Sequence, residues 1–194
     1  MDGLRLNLGC GMNLREGYVN VDRFGEPDVR HDLETFPWPW SDDSVDEIVL
    51  HHVLEHLGHD PDVFLAIFQE MYRVCRGGAT IRIVVPHFRH DYFAGDPTHV
   101  RAITTHTLSL FSQRLNREFI QRRWANSPLG LYLGVDFELT EAQLKPSETW
   151  FRLHPEPQVD LEKLIFEGSL YNNLIEEIHM TLRVVKPPGG AAAP

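Results

Sequence analysis

Residues 6–11, with the sequence LNLGCG, constrain the fold of this chain more than any other segment. They predict a buried strand that ends in a glycine turn. A second short strand, 19–22 (VNVD), follows and ends in the carboxylate of Asp22. Glycine lets backbone approach a ligand closely because it has no Cβ, and a carboxylate at a strand tip can hold two ribose hydroxyls. The pair predicts a nucleoside-containing cofactor at the carboxyl ends of parallel strands.

Two common nucleotide-binding motifs do not fit this pattern. The dinucleotide fingerprint needs a third glycine and an acidic residue about 20 residues further on. Here Leu14 stands at the third glycine position, and Asp22 follows Gly11 by only 11 residues. No helix of normal length fits between them. A P-loop needs Gly-Lys-Ser or Gly-Lys-Thr, and the sequence contains neither.

The sequence around these strands resembles the class I methyltransferases that use S-adenosylmethionine (SAM). Residues 6–11 match the first motif of that family, and Asp22 matches its acidic motif. Asp32 and Leu33 match the position that usually meets the adenine. The remaining family segments follow in the same order, at 36–40, 42–46, 52–56 and 70–78. The match runs from about residue 4 to residue 86.

Two departures and two later segments refine the resemblance. Asn7 stands where the family usually has Asp, and the loop after Gly11 is short, as in a compact subgroup of small bacterial members with the LGCG motif. That subgroup also carries a segment like 96–99 (DPTH) and a terminal strand like 182–186 (LRVVK). Both segments are present here. The resemblance therefore extends, more weakly, toward the end of the chain.

The resemblance implies a cofactor site built from these motifs. The glycine turn would approach the methionine part of SAM, Asp22 would bind the ribose, and Asp32 with Leu33 would meet the adenine. Two histidines after the next predicted strand would border the transferred methyl group. The full set of predicted cofactor-binding residues is Gly9, Cys10, Gly11, Asp22, Arg23, Asp32, Leu33, His51 and His52.

Alternating predicted strands and helices indicate an α/β fold. Buried strands are predicted at 45–50 and 79–85, with a helix between them that starts at Asp60-Pro61 and ends at Gly77-Gly78. Two final strands are predicted near 135–139 and 178–184, with a helix between them near 160–174. We expect a Rossmann-like doubly wound sheet, mostly parallel with an antiparallel final strand. A helical insert at about 87–128 would cover the cofactor and form a substrate lid.

Length, charge and cysteine content predict the domain organisation, the partners and the location of the protein. A chain of 194 residues fits a single SAM-binding domain, here residues 1–186, and we predict a disordered tail at 187–194. A net charge of −10 argues against a nucleic-acid partner, which needs clustered Lys and Arg. Two cysteines, with no long apolar run and no signal peptide, predict a cytoplasmic protein without a membrane partner. Monomer and homodimer both stay open.

Histidines are the candidate catalytic residues. Methyl transfer from a sulfonium is an in-line displacement, so the protein mainly positions the nucleophile and removes water. A base is needed when the nucleophile is a hydroxyl, and histidine has a pKa near the working pH. His87 directly follows a predicted strand and His99 ends the DPTH segment, so we predict that both face the substrate. In the alternative interpretation they hydrogen-bond to backbone and order the lid.

One short motif spells H-x-x-E-H and has three interpretations. On a helix it would be the inverted zinc-peptidase motif, which we disfavour because similar methyltransferases carry Val-Leu-Glu-His at this place. In the second, His52, Glu55 and His56 hold a divalent metal, completed by His87 or His99. Small-RNA 2′-O-methyltransferases and ubiquinone-pathway O-methyltransferases are similar here, with a Glu-x-x-Glu-His cluster. In the third, Glu55 and His56 anchor a helix beneath the cofactor. We adopt the third and assign no metal ligand.

These observations predict a SAM-dependent methyltransferase that acts on an oxygen or nitrogen of a small molecule. Two rivals remain. An enzyme of the same fold could use SAM for intramolecular alkylation, cyclisation or elimination and release methylthioadenosine. A SAM-binding regulatory or partner protein would bind the cofactor without turnover.

Overall fold

The computed structural model describes residues 3–156 and 158–187. In this part of the chain, seven strands form one sheet in the spatial order β3-β2-β1-β4-β5-β7-β6. The strands are β1 (Leu4–Leu8), β2 (Val19–Asp22), β3 (Val29–Arg30), β4 (Val45–His51), β5 (Cys75–Pro86), β6 (Phe137–Pro146) and β7 (Ile175–Val184). The helices are α1 (Pro61–Val74), α2 (Asp91–Gly95), α3 (Thr105–Ser109), α4 (Gln113–Gln121), α5 (Leu129–Leu133), α6 (Glu148–Leu153) and α7 (Leu161–Leu170).

Strand pairing confirms the predicted sheet. The strands from β1 to β5 pair in parallel, whereas β7 lies antiparallel between β5 and β6. Leu6 and Leu8 in β1 are fully buried, and Asn7, on the opposite face, is also buried. Central strands covered on both faces are typical of parallel sheets. The fold is therefore a Rossmann-like α/β fold with one antiparallel strand, as predicted.

Helix α1 begins as predicted but ends earlier. The carboxylate of Asp60 accepts a hydrogen bond from the backbone N–H of Asp62 at 2.8 Å, and Pro61 occupies the first turn. The helix ends at Val74, and β5 starts at once with Cys75, which pairs with Val45 of β4. The predicted glycine stop was wrong: the glycine pair lies inside β5, because strand pairing extends the chain before the glycines are reached.

The loops at the carboxyl ends of the strands meet at one edge of the sheet. Leu8 of β1 lies beside Val21 of β2 and Leu50 of β4. The segment between β1 and β2 contains no helix, in agreement with the short spacing of the motif. Backbone hydrogen bonds join the neighbouring ends, from Cys10 N to Val21 O at 3.1 Å and from His52 N to Val84 O at 2.9 Å. These contacts place the predicted cofactor residues side by side.

The predicted insert divides into two parts. Its second part contains α3 and α4, and between them Phe111 stacks on Phe68 of α1 with 3.8 Å between ring centroids. Both rings are fully buried, so this part belongs to the main core. Its first part, from His87 through α2 to His99, follows the end of β5 directly. Whether this part closes over a substrate as a lid stays a prediction.

The last third of the chain completes the sheet. Strand β6 starts after Val135, α7 lies within the region 160–174 where a helix was predicted, and α6 is a further helix that was not predicted. These helices enclose a small second core that consists of Trp150, Leu164, Leu174 and Ile175. The predicted disordered tail lies outside the described residues except for Pro187. The assignment of residues 1–186 to one domain stays a prediction. Among the described helices, none is both long and apolar enough to span a bilayer.

Candidate active site

The glycine turn after β1 lies at the centre of the site. Gly9 has a φ of 63°, and a Cβ at this position would lie 2.5 Å from Cγ2 of Val53. That distance is far inside van der Waals contact, so only glycine fits without displacing its neighbour. Gly11 has a φ of 50°, but a Cβ there would meet no described atom within 4 Å. The two glycines are therefore constrained for different reasons.

Asp22, at the tip of β2, fixes the shape of this turn. One carboxylate oxygen accepts a hydrogen bond from the N–H of Gly11 at 2.9 Å, and the other accepts one from the N–H of Phe24 at 2.8 Å. Each oxygen keeps a further lone pair, since a carboxylate can accept about four hydrogen bonds. The side chain is therefore oriented in advance and still able to accept from a ligand.

A first cavity of about 290 Å³ opens beside these residues. Six of the nine predicted cofactor-binding residues line it, namely Gly9, Asp22, Arg23, Asp32, Leu33 and His52. The residues that were not predicted for this role are Phe24, His31, Glu34, Val53, His56, Leu57 and His59. The indole N–H of Trp38 donates to the backbone oxygen of Leu33 at 3.0 Å and holds that wall in place.

A second cavity of about 340 Å³ lies on the other side of the glycine turn. Its lining consists of Asn7, Gly9, Cys10, Asn13, Leu14, Arg15 and His51. Gly9 borders both cavities, so a ligand that passes over this glycine can reach both. Burial, reinforced by the charge of Asp22, raises the pKa of the Cys10 thiol. The thiol is therefore protonated at neutral pH and acts as wall rather than nucleophile. Of the nine predicted residues, Gly11 alone lines neither cavity.

His51 and His52 stand where the two cavities meet, one lining each. Their rings lie edge to face with 4.6 Å between centroids. Burial lowers the pKa of His51, and the neighbouring His52 lowers it further. The hydrogen bond to Glu55, aided by one to Glu177, raises the pKa of His52. The pair therefore combines a neutral and a more basic imidazole.

Glu177 of β7 accepts a hydrogen bond from Nε2 of His52 at 3.0 Å. Burial would raise the pKa of Glu177, but hydrogen bonds from His179, His52 and Lys145 outweigh it and lower the pKa to about 2. Glu177 is therefore ionised at neutral pH. Its charge lies beside the histidine pair and is partly balanced by Lys145, 3.3 Å away.

The structure places the two predicted catalytic histidines differently. His87 is 7% exposed and lines neither cavity. Its Nδ1 accepts the N–H of Arg89 at 3.3 Å, so the neutral ring carries its proton on Nε2. Burial, together with the charges of Arg89 and His90, lowers the pKa of His87 to about 4. His87 is therefore neutral at physiological pH and presents a donor.

His99 presents an acceptor. Its Nδ1 donates to the backbone oxygen of Phe93 at 2.8 Å, which leaves the lone pair on Nε2 free. That nitrogen lies 4.0 Å from a carboxylate oxygen of Glu55, and the His99 ring lies 4.5 Å, centroid to centroid, from that of His56. His99 lines neither cavity, but its neighbour His56 lines the first.

The H-x-x-E-H motif does not lie on an α-helix. His52 has a φ of 55°, and only Leu54–His56 forms a single 3-10 turn. The two histidines of the motif therefore do not share a helical face, which removes the basis of the peptidase interpretation. Glu55, His56 and His99 place one possible ligand atom each within 4.8 Å of one another, whereas His52 is not part of this group.

Sequence patterns missed several residues that line the cavities. Arg15 and Asn13 follow the glycine turn in a loop without periodicity, and no motif marks them. Glu34 accepts a hydrogen bond from the backbone N–H of Gly58 at 2.6 Å, a contact between distant segments. One signal was available for Arg15: a cation close to the motif complements a ligand that carries a carboxylate.

Comparisons with known proteins support this fold. The family model described as "Methyltransferase domain" matches residues 6–83. A SAM-dependent methyltransferase from Archaeoglobus fulgidus has a similar fold, with a TM-score of 0.59, 19% identity and coverage of 94% of this chain and 86% of that chain. No protein of curated function matches the sequence.

Two further structures are similar in fold. The 1,6-didemethyltoxoflavin-N1-methyltransferase of Burkholderia thailandensis, solved with 1,6-didemethyltoxoflavin and S-adenosylhomocysteine, has a TM-score of 0.51 at 12% identity, with 94% of this chain and 71% of that chain covered. The cyclase SpnF has a TM-score of 0.51 at 15% identity, with 95% and 76% covered. At these identities the likeness concerns the fold alone.

The methyltransferase-domain model covers less than half of the chain, and the fold of the described residues is similar to that of a SAM-dependent methyltransferase. The domain match and these structures support an enzyme that uses SAM as its cofactor. The residues present fit that group, because Gly9 leaves room for backbone approach and the strand-tip carboxylate of Asp22 lines the same cavity.

Proposed function

We propose that this enzyme transfers a methyl group from SAM to an oxygen or nitrogen of a small-molecule acceptor. The observation that carries this proposal is the pair of cavities that share Gly9 at the carboxyl edge of the sheet. Eight of the nine predicted cofactor residues line one or the other. When bound, SAM supplies a methyl group that is already activated by its sulfonium centre.

The first cavity suits the adenosine part of the cofactor. Asp22 would accept hydrogen bonds from the ribose hydroxyls, and Asp32 with Leu33 would contact the adenine. Arg23 lies 3.6 Å from a carboxylate oxygen of Asp32, close enough to orient it. Gly9 and Cys10 would face the methionine part in the second cavity, with Gly11 supporting the turn.

Arg15 is the cation that lines the second cavity. We expect its guanidinium to bind the carboxylate of the methionine part. Arg15→Ala should then weaken SAM binding about tenfold, which corresponds to ~1.4 kcal/mol. Methylthioadenosine, which has the nucleoside but no carboxylate, should bind the variant and the wild type equally. Calorimetric titration of both ligands measures this.

Arg114→Ala is the matched control, because Arg114 is exposed and lies on α4 outside both cavities. It should bind both ligands as the wild type does. Equal losses of SAM and methylthioadenosine affinity in Arg15→Ala would contradict the assignment and indicate a general disturbance of the loop.

The junction of the cavities is where the methyl group would lie. His51 and His52 border this point, and Glu177 and Glu55 both contact the ring of His52. Two carboxyl groups beside one imidazole give the region a negative bias that suits a sulfonium. His51 and His52 are partly buried, and an acceptor bound beside them would displace water from the transfer.

His99 and His87 remain the candidate proton-transfer residues. If the acceptor is a hydroxyl, Nε2 of His99 offers a free lone pair for its proton, as a general base requires. Nε2 of His87 carries a hydrogen and would orient an acceptor oxygen by donating to it. Both assignments rest on the hydrogen bonds that fix the two ring tautomers.

Charge supports a small-molecule acceptor. The chain has a net charge of −10, and Arg122, which follows α4, is paired with Glu118 at 2.8 Å. A polyanion would need a continuous basic surface. We also expect, from the sequence alone, a cytoplasmic protein that is a monomer or a homodimer.

Two measurements test the proposal. Titration of metal-stripped protein with SAM should give micromolar binding, and incubation with candidate acceptors should yield S-adenosylhomocysteine. Release of methylthioadenosine would instead indicate intramolecular alkylation or elimination. The cyclase SpnF has a similar fold, which is why this alternative is tested. Tight binding with no product from any acceptor would favour a regulatory protein.

A further inference from the structure

We propose that Glu55, His56 and His99 bind one divalent transition-metal ion, such as Zn²⁺, next to the first cavity. One carboxylate oxygen and two ring nitrogens lie within 4.8 Å of one another. Ligand atoms at about 2.1 Å from a cation lie at most about 4.2 Å apart. Small side-chain rotations therefore suffice to close the set around an ion.

The burial of the Glu55 carboxylate indicates that it binds a ligand. Glu55 is 0% exposed, and its Oε1 faces Nδ1 of His52 at 3.3 Å. Oε2 is buried and has no hydrogen-bond partner within residues 3–156 and 158–187. Buried polar atoms without partners are rare, because desolvation is not compensated. Oε1 is the oxygen that lies 4.0 Å from Nε2 of His99, and a cation bound by this carboxylate would offset the desolvation of the group.

Each of the two histidines keeps one ring nitrogen with a free lone pair. Nδ1 of His56 lies 2.9 Å from Oγ1 of Thr98. The hydroxyl of Thr98 donates its hydrogen to Asp96 at 2.6 Å, so its oxygen accepts a hydrogen bond from Nδ1 of His56. Nδ1 of His99 donates to the backbone oxygen of Phe93 at 2.8 Å. In both rings Nε2 is left as the acceptor. Metal-binding histidines are typically oriented by such hydrogen bonds on the other nitrogen.

The backbone holds the two segments together before any ion binds. The N–H groups of Val100 and Arg101 both donate to the backbone oxygen of Glu55, at 2.9 and 3.3 Å. The site therefore joins the 3-10 turn after β4 to the segment that follows α2. A bound ion would tie the first part of the insert to the cofactor edge of the sheet.

The donor set indicates the class of ion. Imidazole nitrogens select first-row transition metals, whereas Mg²⁺ and Ca²⁺ prefer oxygen ligands. Three protein ligands leave a coordination position for water or another ligand. His52 is not a ligand in this arrangement, because Nδ1 faces Oε1 of Glu55 and Nε2 faces Glu177. The lone pair of His99 can bind a metal or accept a proton, and metal titration decides between the two roles.

Chelator-stripped wild-type protein, without SAM, should be titrated with Co²⁺ and followed by visible absorption, and with Zn²⁺ by calorimetry. We expect one Co²⁺ per chain with the absorption bands of a low-coordinate nitrogen and oxygen site, displacement by Zn²⁺, and no comparable binding of Mg²⁺. Because no SAM is present, failure here leaves the methyltransferase proposal untouched, and failure to bind SAM leaves this one untouched.

Four variants test the ligand set. Glu55→Gln, His56→Ala and His99→Ala should each weaken Co²⁺ binding at least tenfold, and Thr98→Val should weaken it less by freeing the His56 ring. The matched control is His106→Ala, which removes an exposed imidazole on α3 and should bind as the wild type does. Circular dichroism checks folding, and if the buried Glu55→Gln variant does not fold, His99→Ala and Thr98→Val decide.

Two results would overturn the proposal. One is wild-type protein that binds no stoichiometric Co²⁺ or Zn²⁺ at micromolar concentration. The other is undiminished binding in both His56→Ala and His99→Ala, which would place any bound ion elsewhere.

Discussion

Asp22→Ala should abolish SAM binding while the protein stays folded. Its carboxylate would accept from both ribose hydroxyls, and hydrogen bonds to a charged group contribute about 1.5–3 kcal/mol each. Loss of both should raise the dissociation constant for SAM by more than about 100-fold. The hydrogen bonds from Gly11 and Phe24 would be lost as well, so a modest fall in melting temperature is expected. Calorimetry and thermal denaturation measure the two effects separately.

The ligand profile distinguishes Asp22 from Arg15. Methylthioadenosine keeps the ribose, so Asp22→Ala should weaken it as severely as SAM, whereas Arg15→Ala should spare it. Glu26→Ala is the control, since it removes an exposed carboxylate from the loop that follows Asp22. Unchanged SAM affinity in folded Asp22→Ala would remove the central contact of the proposed cofactor site.

Local sequence patterns were sufficient for the parts of the fold that depend on neighbouring residues. The strand that ends at Leu8 and the carboxylate at the tip of β2 are encoded by short apolar runs next to a glycine or an acid. Topology then brings their carboxyl ends together, because parallel strands share an edge. This is why six predicted cofactor residues line one cavity, although their separation along the chain reaches 43 positions, from Gly9 to His52.

Contacts between distant segments could not be predicted in this way. The stacking of Phe111 on Phe68 draws half of the predicted insert into the core, and no periodicity encodes that partner. The turn that presents Glu55 is a 3-10 turn rather than a helix, because His52 adopts a left-handed backbone conformation. The resulting approach of Glu55 to His99 depends on packing between segments 44 residues apart.

The end of helix α1 was predicted wrongly for a related reason. A glycine pair is a common helix stop, yet α1 ends three residues before Gly77. Pairing of Cys75 with Val45 competes with the last helical turn and prevails, since the strand gains a ladder and a buried position. Local sequence propensity allows α1 to end at several positions, and the pairing of β5 with β4 determines which one is used.

Gly9→Ala should be the most damaging single substitution in the glycine turn. The left-handed backbone at Gly9 costs a residue with a Cβ about 1–2 kcal/mol, and its Cβ would lie 2.5 Å from Val53. We expect a total loss of about 3 kcal/mol in the free energy of unfolding, or roughly 10 °C in melting temperature. Because Gly9 borders both cavities, the added methyl group and the displaced Val53 should also weaken SAM binding by more than tenfold.

Gly25→Ala separates strain from steric clash in this experiment. Gly25 has a φ of 68°, close to that of Gly9, but a Cβ there would meet no described atom within 4 Å. Its cost should be the backbone strain alone, about 1–2 kcal/mol, with little change in SAM affinity. Equal losses of stability in the two variants, together with normal SAM binding by Gly9→Ala, would contradict the proposed close contact between the cofactor and the backbone of Gly9. A larger loss at Gly9 in both measurements would mean that this glycine is required by its contact with Val53 and by the ligand that passes over it.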